Sequence, residues 1–406
     1  MFAHRIVDFT GPDDVQWAEV DDPAAGGGVL IDVAAAGVSF ADLLQTRGAY
    51  QMKVPLPYTP GMDAAGVVRS APPGTGLAPG QRVAVLLDYG CWQEVVSAPA
   101  ARVLPLPDGM SFEAGAAAPL NYLTALFALA GRAHAQPGDT LLVHGAAGGV
   151  GTAAIQLGRA LGLRTLAVVS DKAKKDFALQ CGAHHAVLSG GWLTAVRDLI
   201  GERAVDIVVD PVDGDRMTDS LRSLAPEGRL VVVGFTGGEI PTVKVNRLLL
   251  GNTSVLGAAS REYFEQQPAT LAALWAQLAR LRRAGTLPDP PVEPYPFADA
   301  RSALRAIADA KPRARSYSAG RRKFNLCGGT RPAPLRASVT RANTKPSARL
   351  ISARKRRSPA AGRALKLVAD CRRYLEPRQP GTQKGVKPQR APGRAGGGVR
   401  GTVRQK

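Results

Sequence analysis

The 406-residue sequence predicts an α/β protein with a β-rich domain, a doubly wound parallel sheet and a disordered basic C-terminal tail. Three observations support this prediction: short β-branched runs between Gly and Pro turns in residues 1–115, apolar runs alternating with helical stretches in residues 116–254, and a change of composition after residue 310. A chain of this length holds about two to three domains, so a peptide or a disulfide-stapled miniprotein is excluded.

The first region contains short alternating or β-branched runs, with turns such as Pro79-Gly80 between them. Such runs, separated by Gly and Pro, are typical of strands in a compact β domain. Two later helices, at 269–284 and 300–308, are expected to return to this domain. The predicted strands include Val29–Val33, Ala65–Val68 and Arg82–Val85.

The second region has a different pattern, in which apolar strands alternate with helical stretches. Near-continuous β-branched strands with helices between them indicate a parallel sheet that is covered on both faces. The predicted strands are Thr140–Val143, Arg164–Val169, Val205–Val209 and Leu230–Val233.

Residues 311–406 differ in charge and composition from the rest of the chain. They hold 27 Lys and Arg against only Asp370 and Glu376, a charge of +25, whereas residues 1–310 carry −6. Arg, Pro, Gly, Ala and Ser dominate without a hydrophobic period, so this segment cannot bury enough apolar surface to order itself. We predict a disordered tail that binds nucleic acid only adventitiously, because it has few aromatic residues for base stacking. A nucleic-acid-binding protein acting through this tail is the alternative from a different class.

Cysteine usage and hydropathy bear on the cellular compartment. The cysteines are widely spaced and form no CxxC pair, so neither a zinc knuckle nor a disulfide framework is predicted. No apolar run approaches the ~20 residues that span a bilayer, and the N-terminus lacks the apolar core of a signal peptide. We therefore expect a cytoplasmic protein without a membrane segment.

A glycine-rich motif, His144-Gly-Ala-Ala-Gly-Gly-Val-Gly151, follows a predicted strand and opens the apolar helix Thr152–Leu161. Glycines in such a motif allow a tight turn, a close backbone approach to a pyrophosphate and close packing of helix against strand. The helix N-terminus adds unpaired N–H donors and a positive dipole. The motif predicts dinucleotide binding, with a merely structural turn as the alternative. The predicted cofactor-binding residues are Gly145, Gly148, Gly149, Val150 and Gly151.

The end of the next strand bears on the choice between NAD and NADP. An acidic side chain there binds the ribose 2′-OH of NAD and repels the 2′-phosphate of NADP. Ser170 stands first after the strand and Lys174 follows, which favours NADPH, whereas Asp171 argues for NADH. NADPH is the predicted cofactor, and a solvated helix face is the alternative interpretation of the lysines.

Several segments resemble, in order, the zinc-independent quinone oxidoreductases, the zeta-crystallin-like group of the medium-chain dehydrogenase/reductase superfamily. The resemblance implies a GroES-like catalytic domain over residues 1–115, completed by about 255–310, and a Rossmann NADP-binding domain over 116–254. The active cleft is then expected between the two domains. The resemblance rests on the segments 37–44 (GVSFADLL), 47–50 (RGAY), 58–68 (YTPGMDAAGVV), 122–125 (YLTA), 144–151 (HGAAGGVG), 181–184 (CGAH), 206–212 (DIVVDPV) and 224–235 (LAPEGRLVVVGF).

The resemblance also implies which residues contact the cofactor. Thr124 is expected beside the nicotinamide, and the loop containing Gly234 and Phe235 is expected on its other side. Lys174 matches a lysine that faces the 2′-phosphate. A homodimer is expected as well.

Tyr50, Ser39 and Asp42 are implied to edge the acceptor pocket. Tyr50 is expected either to donate a hydrogen bond to the acceptor oxygen or to pack as an aromatic, and Asp42 is expected to orient its neighbours. Zinc-dependent relatives carry Cys and His where this chain has Ser39 and Met62. Because a hydroxyl and a thioether are poor zinc ligands, no metal is expected.

The predicted activity follows from this combination of cofactor and pocket. Without a metal to polarise an alcohol, reduction of an electron-poor acceptor is the easier reaction. Hydride transfer from NADPH to a quinone or a conjugated carbonyl needs mainly alignment in a dry cleft. NADPH-dependent quinone reduction is therefore predicted. The alternatives are an enal, enone or enoyl-thioester reductase of the same superfamily and a relative that binds NADPH without turnover.

The chain departs from these relatives at several positions. Ser39 stands where Asn is common, Asn121 where a small residue or Thr is common, and Ser189 where Tyr is common. The family's closing strand is replaced by residues 311–319. Residues 315–319 can be encoded so that the next reading frame gives Glu-Val-Ile-Val, which resembles that strand. We therefore interpret the residues after about 311 as the product of an out-of-frame reading that leaves the catalytic domain without an edge strand.

Overall fold

The structure is a computed structural model that describes residues 1–24, 26–201, 204–309 and the backbone of 316–319. Within these residues it contains a mostly antiparallel β domain and a parallel sheet with helices, as the sequence predicts. The rest of the basic tail, and with it the prediction of disorder, lies outside the described residues.

The GroES-like domain begins with one two-stranded sheet, β1 with β2, and a larger sheet in which β3 pairs with both β4 and β6. Buried and partly buried residues alternate along the first half of β3, because one face of this sheet packs on the core. The elements are β1 (Phe2–Arg5), β2 (Gln16–Glu19), β3 (Val29–Val38), α1 (Phe40–Thr46), β4 (Asp63–Ser70), β5 (Arg82–Leu86), β6 (Val95–Ala98) and β7 (Val103–Pro105).

The Rossmann domain follows through α2 (Phe112–Leu126), which continues as a π-helical turn over Phe127–Arg132. The other elements are β8 (Thr140–His144), α3 (Gly149–Ala160), β9 (Arg164–Val169), α4 (Lys172–Gln180), β10 (His185–Leu188), α5 (Trp192–Ile200), β11 (Val205–Asp210), α6 (Met217–Ser223), β12 (Leu224–Val232), α7 (Asn246–Gly251) and β13 (Ser254–Gly257). The strands form a parallel sheet in the order β10-β9-β8-β11-β12-β13. The order reverses between β8 and β11, and ligands of such sheets bind beyond the carboxyl ends of the strands at this point.

The C-terminal segment returns to the larger sheet of the GroES-like domain. Its elements are α8 (Ser260–Gln266), α9 (Pro268–Arg283), β14 (Glu293–Pro296), α10 (Ala300–Ala308) and β15 (Ser316–Ala319). The predicted domain boundaries cut two of the observed elements, because α2 crosses residue 115 and β13 runs from residue 254 to residue 257.

Strand β15 corrects two expectations about residues 311–406. Ser316–Ala319 pairs antiparallel with β3 and parallel with β14, so these residues are a strand that lies between β3 and β14, and β14 forms the edge of the sheet. The pairing uses backbone N–H and C=O groups, which any extended segment can supply. The out-of-frame origin of the segment stays a prediction.

The segment Phe112–Arg132 corrects the expectation that no apolar run reaches membrane length. Its 21 residues are long and apolar enough to cross a membrane by length and composition alone. However, 94% of its most apolar window is buried inside the protein. It contacts β3, β4 and β5 of one domain and α3 of the other, as expected for a core helix between two domains.

Two contacts close the GroES-like domain over a long distance in sequence. The imidazole of His4 is hydrogen-bonded through Nε2 to the carbonyl oxygen of Phe297 at 2.7 Å. Arg305 on α10 pairs with Asp13 at 2.7 Å. The domain is thus assembled from both ends of the described chain.

Candidate functional site

The glycine turn, residues 144–151, joins β8 to α3 with very little space between backbone segments. A Cβ atom on Gly151 would lie 2.2 Å from the carbonyl oxygen of Gly145 and 2.7 Å from the Cα atom of Ala146. Only glycine fits there without moving the backbone. The first N–H groups of α3 have no partner within the helix, and the helix dipole is positive at this end. This cradle fits the pyrophosphate of a dinucleotide.

Two loops lie beside the glycine turn at the carboxyl edge of the sheet. A Cβ atom on Gly145 would lie 2.7 Å from Cγ2 of Val212, in the loop after β11. The backbone of Val233, after β12, donates to the carbonyl of Asp210 at 2.9 Å. Gly234 and Phe235 follow in this second loop, and the Phe235 side chain is 43% exposed. The structure thus brings these residues and the glycine turn to one edge.

The end of β9 carries the polar group that sequence analysis connected with the 2′-phosphate. Lys174 Nζ donates to Ser170 Oγ at 2.7 Å and pairs with the Asp171 carboxylate at 3.2 Å. Asp171 also caps α4 by accepting the backbone N–H of Lys174. This backbone bond and those from Ser170 and Lys174 hold the pKa of Asp171 below its usual range. The carboxylate is therefore engaged by its own helix and by the lysine.

Thr124 lies on α2 between the domains. Its Oγ1 is 3.0 Å from Ser260 Oγ at the start of α8. The helix is fixed on both sides, because Asp63 accepts the backbone N–H of Leu120 at 3.1 Å and Tyr122 donates its hydroxyl to Gln156 of α3 at 2.6 Å. Thr124 is thus held on a helix anchored to both domains.

Ser39 and Asp42 are adjacent and form the N-terminal cap of α1. Asp42 Oδ2 accepts the backbone N–H of Ser39 at 2.7 Å and its hydroxyl at 2.5 Å, and Ser39 Oγ accepts the backbone N–H of Asp42 at 3.4 Å. Such a reciprocal arrangement satisfies helix N–H groups that would otherwise lack partners. The structure therefore assigns both residues a role in folding α1, whether or not they also edge a pocket.

Tyr50 follows α1 and is partly buried. Burial, and then the negative charges of Asp42 and Glu262, raise the pKa of Tyr50 to about 12. The pKa of Tyr58 rises to about 12 for the same first reason, with Asp42 again contributing. Both phenols remain protonated near neutral pH and can donate hydrogen bonds.

Sequence analysis missed an ion pair whose charges act on Tyr50. Arg261 on α8 binds Asp88, after β5, through Nε at 2.7 Å and Nη2 at 3.1 Å. Arg261 also pairs with Glu265 at 2.9 Å. The Asp88 hydrogen bonds raise the pKa of Arg261, so it stays charged. The only sequence signal is the Ser-Arg-Glu triplet after the last strand of the parallel sheet, and nothing in it indicates Asp88.

The residues at the metal-ligand positions of zinc-dependent relatives do not fit a zinc ion. The Ser39 hydroxyl is used by Asp42, and Met62 offers a buried thioether. His184 Nδ1 accepts the backbone N–H of Thr165 at 3.0 Å. His185 is the first residue of β10. Within residues 1–24, 26–201 and 204–309, no three potential metal-ligating side chains are grouped to hold an ion.

A buried polar cluster lies behind the glycine turn. His144 at the end of β8 is fully buried, 2.9 Å from Ser220 Oγ, and burial lowers its pKa to about 4. Asp213 is buried nearby in the loop after β11, where burial and the charge of Asp210 raise its pKa to about 6. A neutral imidazole and a carboxyl with weakened acidity thus support the carboxyl edge of the sheet.

Two family models match the chain. Residues 149–279 match the model described as zinc-binding dehydrogenase, and residues 25–108 match the alcohol dehydrogenase GroES-like domain. Together with the glycine turn and the paired domains, these matches define an oxidoreductase of the medium-chain dehydrogenase/reductase superfamily.

Individual relatives narrow this class. Quinone oxidoreductase-like protein 2 of Rattus norvegicus is 39% identical over 242 residues, which are 59% of this chain and 69% of the relative. A probable oxidoreductase from Mycobacterium abscessus superposes with a TM-score of 0.72 at 39% identity, over 79% of this chain and 98% of that chain. The quinone oxidoreductase from Thermus thermophilus, solved also with NADPH, superposes with a TM-score of 0.65 at 35% identity, over 79% of this chain and 100% of that chain. The chain belongs to the quinone oxidoreductase-like family of this superfamily, as sequence analysis predicted.

Proposed function

We propose that the protein is an NADPH-dependent reductase that transfers a hydride to a quinone without zinc. The observation that carries the proposal is the Ser39–Asp42 hydrogen bond, which uses as a helix cap a position where zinc-dependent relatives carry a ligand. A cleft without a Lewis acid suits an acceptor that is already electron-poor. The names of the relatives support the same acceptor class.

The geometry of the glycine turn and the resemblance to quinone oxidoreductases support the residues that we propose to hold the cofactor. The N–H groups at the start of α3 bind the pyrophosphate, and the loop with Gly234 and Phe235 borders the nicotinamide opposite Thr124. A bound NADPH supplies the hydride. The protein contributes orientation and the exclusion of water from the cleft.

The preference for NADPH rests on the group at the end of β9. Lys174 and Ser170 lie 2.7 Å apart and offer a cation and a hydroxyl to a 2′-phosphate. Asp171, the residue that would favour NADH, is engaged as the cap of α4 and by Lys174. The NADPH complex of the Thermus thermophilus relative supports the same choice.

Tyr50 is proposed to donate a hydrogen bond to the acceptor oxygen. Its pKa of about 12 keeps the proton on the phenol throughout the neutral range. As negative charge develops on the acceptor oxygen during hydride transfer, a fixed donor stabilises it. The Arg261–Asp88 pair lies close enough for its charges to act on this phenol.

We also propose a homodimer that forms through the edge of the parallel sheet. Among the described residues, β13 pairs only with β12, so its outer edge offers N–H and C=O groups to another strand. The neighbouring helix α7 exposes Leu249 and Leu250 at 76% and 79%, and Ile240 and Val245 before it are both 74% exposed. Apolar side chains grouped in this way mark an interface. Sedimentation should show a dimer for the unaltered protein and monomers for the double variant L249E and L250E. A monomeric unaltered protein would contradict the proposed homodimer.

The activity is tested by following NADPH absorbance with quinones, enones, enoyl-thioesters and, in reverse, simple alcohols. We expect quinone turnover that is unaffected by chelators. We also expect Tyr50→Phe to lower kcat several-fold. Faster turnover of enones or thioesters would move the assignment within the superfamily. Chelator-sensitive oxidation of simple alcohols would contradict the zinc-free mechanism, and tight NADPH binding without any turnover would leave a non-enzymatic binder.

A further inference from the structure

Asn121 lies in the C-terminal half of α2, one helical turn before Thr124. Residues three positions apart lie on the same side of a helix, so Asn121 and Thr124 share one side of α2.

The Asn121 side chain is buried but lacks a partner in the protein. It is only 6% exposed, and within the described part of the chain no hydrogen bond reaches its amide. Its neighbours differ, because the Leu120 N–H is bound by Asp63 and the Tyr122 hydroxyl by Gln156. Asn121 is not among the sealed side chains without a partner, so a molecule from outside the chain can reach its amide. An N–H donor that is accessible in this way can bind a phosphate oxygen.

The amide points to the first residue of α3. A Cβ atom on Gly149 would lie 2.4 Å from Asn121 Nδ2 and 2.8 Å from Oδ1. The amide therefore occupies the space beside Gly149 that any other residue would fill with its side chain. It lies next to the unpaired N–H groups and the positive dipole of a twelve-residue helix. An anion at this helix end meets backbone donors and the Asn121 amide together.

We propose that Asn121 binds the cofactor by donating an N–H to the pyrophosphate, at the phosphate on the nicotinamide side. The choice of phosphate follows from α2, because Thr124, one turn further along, is the residue expected at the nicotinamide. The inference rests on the proposed nucleotide function. It adds a side-chain donor to a site that otherwise consists of backbone, and it acts equally on NADPH and NADH, unlike Lys174.

Binding of three ligands distinguishes a contact between Asn121 and the nicotinamide-side phosphate from contacts with other parts of the cofactor. NADPH contains both phosphates of the bridge and the nicotinamide, 2′-phospho-ADP-ribose lacks only the nicotinamide, and 2′,5′-ADP lacks the nicotinamide-side phosphate as well. Dissociation constants are measured by calorimetry for the full chain and for Asn121→Ala and Asn121→Asp. Thermal unfolding without ligand serves as the folding control.

Asn121→Ala should lower the affinity for NADPH, NADH and 2′-phospho-ADP-ribose by about tenfold, the usual effect of losing a hydrogen bond to a charged group. The 2′,5′-ADP affinity should not change. Asn121→Asp, which has the same shape but repels phosphate, should weaken the first three ligands more than alanine does. These results with an unchanged unfolding temperature support the proposal.

The failures are distinguishable. If the unaltered protein binds none of the ligands, the nucleotide function itself is wrong. If it binds them and both variants bind equally well, only the role of Asn121 is wrong. Weakening of NADPH but not of 2′-phospho-ADP-ribose would place the contact on the nicotinamide and overturn the phosphate assignment. Equal weakening of 2′,5′-ADP would show a structural role only.

Discussion

The two sides of the proposed site are built from different parts of the chain. On the Rossmann side, backbone atoms shape the proposed cofactor cradle, and a side chain at Gly151 would overlap the carbonyl of Gly145. On the GroES-like side, the residues proposed to contact the acceptor are the side chains Ser39, Asp42 and Tyr50, and Ser39 and Asp42 also cap a helix. The comparison teaches that the glycine turn on the cofactor side leaves no room for an added side chain at Gly151, whereas the side chains of the acceptor side can be altered one group at a time.

The largest effect is expected from Gly151→Ala on the Rossmann side. The added Cβ would be 2.2 Å from a backbone oxygen, so the turn must move. We expect a lower unfolding temperature, because overpacking typically costs about 1–3 kcal/mol. If the same cost falls on the cofactor cradle, NADPH affinity drops by up to about a hundredfold. Gly190→Ala is the control, since no atom lies within 4 Å of its Cβ position. Binding by Gly151→Ala at the normal affinity would remove the contrast between the two sides.

Acidification should destabilise the Rossmann side through His144. Its pKa falls from 6.5 to about 4 on burial, so the unfolded chain takes up a proton first and stability is lost as the pH falls below about 6.5. Between about pH 7 and pH 5 the loss in the free energy of unfolding amounts to about 2 kcal/mol. The stability gap between the unaltered protein and His144→Gln should narrow by that amount, as measured by urea unfolding at both pH values.

Asp213 provides the control of opposite sign. Its pKa rises from 3.8 to about 6, so the folded protein takes up this proton first and gains stability as the pH falls through that range. The difference in the free energy of unfolding between the unaltered protein and Asp213→Asn should therefore widen on acidification. A gap to His144→Gln that is the same at both pH values would show that the imidazole is not held neutral.

On the acceptor side, Ser39→Ala should reduce stability by about 1–2 kcal/mol, the usual effect of losing a helix cap. The affinity for NADPH should stay the same and the KM for the quinone should change, since the cap carries Asp42 beside the pocket. Ser111→Ala is the matched control, because Ser111 caps α2 through one bond to Ala114. It should lower stability without moving KM. A changed NADPH affinity in Ser39→Ala would mean that the two sides are not independent.

The smallest effect concerns a side chain on the cofactor side. Lys174→Ala should weaken NADPH by about tenfold and leave NADH unchanged, since only the charge pair with the 2′-phosphate is lost. Lys172→Ala, on the exposed first turn of the same helix, should change neither. Equal loss of both cofactors in Lys174→Ala would contradict the 2′-phosphate assignment.

Sequence patterns were sufficient where the determining residues are neighbours. The strand at 164–169 and the helix at 300–308 have the predicted bounds, and the glycine turn follows its strand as its spacing requires. The Ser39-x-x-Asp42 spacing is also typical of a helix N-terminal cap, although sequence analysis connected these residues only with the acceptor pocket. Local patterns thus fix elements well and functions less well.

Contacts between distant residues could not be predicted. Arg261 and Asp88 lie 173 residues apart, and the amide of Asn121 meets Gly149 only because two helices cross at the cleft. Strand β15 was missed for a different reason, because its pairing with β3 and β14 uses the backbone, which any extended segment can supply whatever its side chains. The buried state of α2 likewise depends on both domains and not on its own composition.

The sheet of the GroES-like domain has a consequence for the order of folding during synthesis. Strand β3 pairs with β4 and β6 early in the chain, but also with Ser316–Ala319. The parallel sheet has all its strands once residue 257 has left the ribosome, whereas the other sheet must wait for β14 and β15. The first domain to begin synthesis is thus the last to be completed. A change of reading frame near residue 311 would therefore spare the nucleotide fold and act on the half that closes last.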